Sequence, residues 1–235
     1  MTEAEWLAGT DPQKLLEYLQ DRASERKLRL FAVACCRQFD GLPDEETELA
    51  VNLAESFSDG LVSKEAVVTA QDSLYQLYRT VGPDQRYLVA YHACETRSPI
   101  NAVGVAEGVI RGQAAARYFA DTVKEEWHVI FSSVQKEQGL ALTTILREIF
   151  GNLFRPASLH SACLAWHDAT LPKLAQAIYD ERDLPSGHLD TTRMAILADA
   201  LEDAGCTDET ILSHCCGAGP HVRGCWVVDL LLGKG

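Results

Sequence analysis

The residue types best suited to chemistry crowd towards the C-terminus of this chain: Cys206, His214, Cys215, Cys216, His221 and Cys225. Thiolate sulfur and imidazole nitrogen are the donors that zinc takes in tetrahedral protein sites. His221 and Cys225 stand four apart, so on a helix they project from one face. His214 or Cys215, at the end of a short preceding helix, and Cys206, at its start, would complete a set of four. The candidate metal ligands are therefore Cys206, His214, His221 and Cys225, and the candidate cofactor is zinc. The competing reading is core packing, because cysteine is among the most buried residue types and Val228 and Leu232 would share that face. The segment holds no CxxC pair.

Other groupings carry less. Glu125 and His128 form one Glu-x-x-His unit, which di-iron bundles use twice, and it reads as a solvated helix flank. His92 and Cys94 fall on different faces of a helix and read as structural. Cys163 and His167 are spaced as a thiol and base at i and i+4, with His160 and Asp168 nearby, but Asp168 is explained as the cap of the next helix. Arg223 lies in a glycine-rich turn where free backbone N–H groups can meet an anion. Gly104, Gly108 and Gly112 recur every four residues, which marks a close helix crossing and not a phosphate loop.

The elements that must position these groups read as helices throughout. Thr2 with Glu5 is a capping box, Asp11-Pro12 is a helix start, and Ser24, Asp44, Ser63, Asp168 and Thr207 stand where apolar periods begin. Gly9, Gly41, Gly60, Gly82, Gly205 and Gly217 stand near the expected ends. Leu28, Phe31, Ala32, Cys35 and Phe39 mark one buried face, and Val67, Ala70, Leu74, Leu77, Tyr78 and Val81 another. A stripe from Val105 through Val109, Phe119, Val123, Trp127 and Phe131 to Val134 predicts one long helix or two nearly collinear ones. Met194, Leu197, Ala198 and Leu201 point inward from a later helix. No stretch alternates as a strand would. The expected fold is all-α, a helical array or bundle with a long central helix or helix pair and a smaller C-terminal helical subdomain. Gly151 to Pro156 is the internal break, giving a main helical domain over 1–150 and a Cys/His-rich helical subdomain over 151–235.

Composition narrows the function. The 235 residues are 47% hydrophobic, enough for a sizeable core. A net charge of −13 argues against nucleic acid as a partner, and Arg22, Arg26, Lys27, Arg29 and Arg37 read as a solvated helix face. No apolar run reaches the roughly 20 residues of a membrane span. The acidic start, Met1-Thr2-Glu3-Ala4-Glu5-Trp6, is unlike a secretory signal, so the expected location is the cytoplasm, where eight cysteines stay as thiols or metal ligands.

Several stretches carry a resemblance: Thr2 to Leu7, Ser24 to Ala32, Arg147 to Asn152, Leu197 to Asp208, and Gly219-Pro220-His221-Val222-Arg223-Gly224-Cys225-Trp226. Together they resemble an uncharacterised protein family of planctomycete bacteria, with Cys216 standing where that pattern commonly has arginine. The resemblance implies a bacterial cytoplasmic protein and brings no activity with it. The functional expectation is a non-enzymatic helical interaction or scaffold protein that binds a protein partner through an exposed apolar patch rimmed by acid. The alternative is a small zinc metalloprotein or thiol enzyme centred on the C-terminal Cys/His cluster.

Overall fold

In a computed structural model of the chain, residues 1–39, 41–82, 84–96, 101–120 and 125–234 are described. Among them are twelve helices and no strand, so the protein is all-α. It forms two compact units, Met1–Leu146 and Arg147–Gly235.

The first unit holds α1 (Glu3–Ala8), α2 (Pro12–Leu19), α3 (Glu25–Cys36), α4 (Glu45–Ser58), α5 (Lys64–Val81), α6 (Gln85–Ala93), α7 (Ala102–Ala120) and most of α8 (Trp127–Phe150). The helix starts follow local capping chemistry. Thr2 and Glu5 exchange both bonds of a capping box, Asp11 caps α2 ahead of Pro12, and Ser24, Asp44 and Ser63 accept backbone N–H groups at the starts of α3, α4 and α5. Helix α3 is the hub, packed against α4, α6 and α7, with Phe31, Ala32 and Cys35 wholly buried. The glycine spacing on α7 marks a crossing: a Cβ on Gly108 would lie 2.6 Å from Val89 Cγ2 on α6, and one on Gly112 would lie 2.8 Å from the Phe39 ring.

Three expectations for this unit are corrected. Helices α7 and α8 are not collinear, because the Arg117 guanidinium donates to Glu137 Oε2 at 2.9 Å. Collinear helices would set those residues roughly 30 Å apart, so α8 doubles back alongside α7. Val123 of the proposed stripe lies outside the described residues, and Phe119 and Trp127, taken there as inward, are exposed. The basic group around α3 is solvated only in part: Arg22 is exposed, but Arg29 is buried and donates to the carbonyls of Ala93 and Glu95, and Arg37 pairs with Glu55 beneath the surface. Finally, Glu125 precedes α8, so it does not share a helix with His128.

The second unit holds the last turn of α8, then α9 (Ser161–Asp180), α10 (Thr191–Asp203), α11 (Glu209–Cys215) and α12 (Trp226–Leu232). Its core gathers Leu171, Tyr179, Met194, Leu197, Leu201, Ile211 and Val228. Gly151, with φ +63°, ends α8 close against the Trp226 side chain; a Cβ there would come within 3.0 Å of Trp226 Cγ. Helix α9 is broken at Trp166–Ala169, where His167, Asp168 and Ala169 are left-handed. That break undoes the i, i+4 relation of Cys163 and His167, and the Cys163 thiol instead donates to the Ala204 carbonyl. Asp168 does not act as a cap: its carboxylate receives Lys173 Nζ at 2.8 Å. Asp208, not Thr207, caps α11, and neither Gly9 nor Gly217 is left-handed.

Candidate metal centre

Three of the four proposed ligands meet, and a carboxylate takes the place of the fourth. One donor atom from each of Glu148, His214, His221 and Cys225 lies within 4.8 Å of the others. All four residues belong to the second unit. Cys206 is elsewhere, buried in the apolar core with Leu201 and Ile211. It follows α10, where its N–H closes onto Leu201 O, so the apolar packing of α10 and α11 claims its side chain.

Each donor is set by a different local device. Glu148 rides on the last turn of α8 beside Ile145 and Ile149, and the apolar stripe that buries those residues carries the carboxylate inward. His214 comes from the last turn of α11, whose start Asp208 fixes by bonding the N–H groups of Thr210 and Ile211. His221 does not lie on a helix, contrary to the sequence reading. Its backbone is pinned to the preceding loop by Leu189 N–H, which donates to His221 O at 2.8 Å, and by an antiparallel bridge between His188 and Val222. Cys225 is the N-cap residue of α12, with its N–H on Val222 O. The turn from 221 to 225 therefore brings imidazole and thiol together without a shared helix face.

The distances suit a small ion. His221 Nδ1 is 3.2 Å from Glu148 Oε1, His214 Nε2 is 3.3 Å from Glu148 Oε2, and His214 Nε2 is 3.2 Å from Cys225 Sγ. Tetrahedral zinc with ordinary bond lengths needs donor separations of about 3.3 to 3.6 Å, close to these three pairs, while the group as a whole lies within 4.8 Å. Behind the donors, His221 Nε2 faces the Gly217 carbonyl at 3.3 Å and Trp226 Nε1 donates to His214 Nδ1 at 3.1 Å.

The electrostatics follow from burial and proximity. Burial alone would raise the Glu148 carboxyl, but hydrogen bonds and charge from His214 and His221 outweigh it and hold the group below the usual carboxylate range. Burial would depress His221, yet its bond to Glu148 wins and raises it. Cys225 is pushed well up, first by burial and then by the Glu148 charge, against the opposing pull of N–H groups at the start of α12. Cys215 lies on the core side of α11, pushed up to about 12 by burial, while Cys216 is exposed.

No family model, curated protein or solved structure matches the chain. Function has to be argued from the group itself.

As a nucleophilic site the group is poorly built. Cys225 Sγ touches a histidine, but the residue has no exposed surface and its thiol is raised, where an active thiol needs access and a lowered value. The far nitrogen of His214 meets an indole N–H, not the acceptor that orients a catalytic base. As a metal site the group has the right donor types close together, and the Gly217 carbonyl behind His221 is the outer partner that orients a ligating ring.

Elsewhere, Cys94 donates to the Ala50 carbonyl, with its thiol raised to about 12 by burial, and His92 stands apart from it, half-buried. Arg223, proposed for an anion, is buried with its guanidinium 4.4 Å over the Tyr179 ring. No helix among the described residues is long and apolar enough to cross a membrane.

Proposed function

We propose that this protein is a zinc metalloprotein, its C-terminal unit organised around one ion held among Glu148, His214, His221 and Cys225. The observation that carries the reading is the convergence of four oxygen, nitrogen and sulfur donors from three separated segments within 4.8 Å. Carboxylate, imidazole and thiolate together suit zinc better than magnesium or calcium, which take oxygen donors. All eight cysteines are free, which supports placement in a reducing cytoplasm.

The test is elemental analysis of untagged protein before and after chelation, with the melting temperature recorded in both states. The expected result is about one zinc per chain, lost on chelation together with stability, because an ion that binds only the folded state raises its free energy of unfolding. Cys225→Ala abolishes the metal, whereas Cys206→Ala retains it. A metal-free chain that takes up no zinc and melts unchanged in its presence overturns the reading.

A second reading, a helical interaction protein, is supported by one feature of the first unit. Tyr118, Phe119 and Trp127 form an edge-to-face aromatic group at the surface, with Phe119 83% exposed and the exposed acids Glu125 and Glu126 directly before Trp127 in the sequence. Large exposed aromatics of this kind mark binding surfaces.

A further inference from the structure

The two histidines of the centre are wired in opposite senses, and this decides which of them can hold an ion. A backbone carbonyl only accepts hydrogen bonds and an indole N–H only donates them. His221 Nε2 faces the Gly217 carbonyl, so Nε2 carries a proton and Nδ1 is the nitrogen able to coordinate. This is the arrangement by which metal-bound histidines are oriented. His214 has the reverse. Its Nδ1 receives the Trp226 N–H, so the proton of the neutral ring sits on Nε2, the atom that faces the centre. That Nε2–H already points at two acceptors, Cys225 Sγ at 3.2 Å and Glu148 Oε2 at 3.3 Å. Coordination through His214 Nε2 would move its proton to Nδ1 and set two donors against each other. The indole is not free to yield, because it packs on the Gly151 backbone as well as on the His214 ring.

We infer that the ion is coordinated by three protein donors, Glu148, His221 and Cys225, and that His214 offers its Nε2–H to a small exchangeable fourth ligand. The inference rests on the zinc reading above and assigns roles within it. Three protein ligands with one open position is the coordination of zinc sites that exchange a ligand, whereas structural zinc is closed by four. The exposure of the side chains agrees: His214 is 17% exposed, against 5% for Glu148 and 2% for His221. His214 is thus the least buried of these three side chains. The fourth ligand is water or a monodentate anion, a species small enough for a largely buried site and able to accept from an N–H.

The experiment uses the full chain loaded with cobalt(II), whose visible spectrum reports coordination, and azide as the fourth-ligand probe. The expected result is one cobalt per chain with bands that shift saturably on azide addition. His214→Ala still binds one cobalt and keeps the sulfur-to-cobalt charge-transfer band, but its azide affinity falls about tenfold for the lost hydrogen bond. Trp226→Phe frees His214 Nδ1 to carry the proton, so the ring closes the site and the azide response disappears. Nitrogen-15 spectra of histidine in the zinc-loaded wild-type chain give the same answer without a variant: His214 Nε2 reads as protonated and His221 Nδ1 as metal-bound. A metal-bound His214 Nε2, or an azide-insensitive spectrum with metal lost in His214→Ala, overturns the inference and leaves the zinc reading standing. Failure of every form to take up metal overturns both.

Discussion

Single side chains in this protein act through what lies behind them, and Asp44 shows how far that reaches. As the N-cap of α4 it receives Thr47 N–H and Thr47 Oγ1, each at 2.8 Å, and the Tyr87 hydroxyl at 2.7 Å from α6. Burial pushes its carboxyl up, but these donors outweigh burial and leave it below the usual aspartate value. A folded-state pKa below the unfolded one contributes stability that is present above about pH 4 and lost as pH falls through the folded value. Tyr87→Phe removes one donor, so the variant loses about 1 kcal/mol at pH 7 and loses less stability than the wild type on acidification to pH 3. Urea midpoints at the two pH values check this; an equal gap between the proteins at both would mean that the hydroxyl does not act through the carboxylate. Legibility at this scale was uneven. Asp44 was readable as a cap because capping is local. His214, His221 and Cys225 were readable as one candidate group because their types are rare and close in sequence. Glu148 was not, since it stands 73 residues from His221 among common carboxylates. Its one signal was a position three residues from Ile145, inside an apolar stripe where an acid needs a partner.

Helices were easier to foresee than their directions. Period and capping residues found nearly every helix of both units, and the glycines of α7 announced the crossing with α6, because a missing Cβ is a direct statement about a neighbour. The reversal between α7 and α8 left no such mark: residues 121–126 contain neither glycine nor proline, and the apolar period runs on through them. The break in α9 was only faintly marked: His167 and Asp168 are types that tolerate the left-handed region, but neither glycine nor asparagine stands there and Ala169 has no such tolerance. The α7–α8 pair also carries the interaction reading, and packing energetics separate its two roles. Phe119 makes little contribution to a core it does not enter, so Phe119→Ser shifts stability by less than about 0.5 kcal/mol. An aromatic at the centre of an interface is worth about 2 kcal/mol or more, some thirtyfold in affinity. Phe119→Ser is therefore expected to melt like the wild type while losing any partner that the wild type retains in a pull-down. A partner retained equally by both proteins would remove this surface from the interface.

At the scale of the whole chain, the candidate metal centre is confined to one of two units. The residues of the candidate centre come from the last turn of α8, the end of α11 and the segment before α12, and all three fall within Arg147–Gly235. Cross-linking segments so far apart in sequence closes loops that are open in the unfolded chain, and the resulting gain is felt by the cooperative unit that contains them. Hydrogen exchange followed with and without zinc is therefore expected to slow at the amides of α11, at Val222 and Cys225 in the ligand turn, and in α12. It is expected to stay unchanged in α3, α4 and α6 of the first unit, whose core of Phe31, Val51, Leu74 and Val89 is complete without the centre. Protection that rises equally across both units would show that zinc stabilises the chain as one cooperative block. Protection that rises only in the first unit would mean that the metal binds elsewhere, and the centre at Glu148 would then be a buried ion pair with no metal to hold.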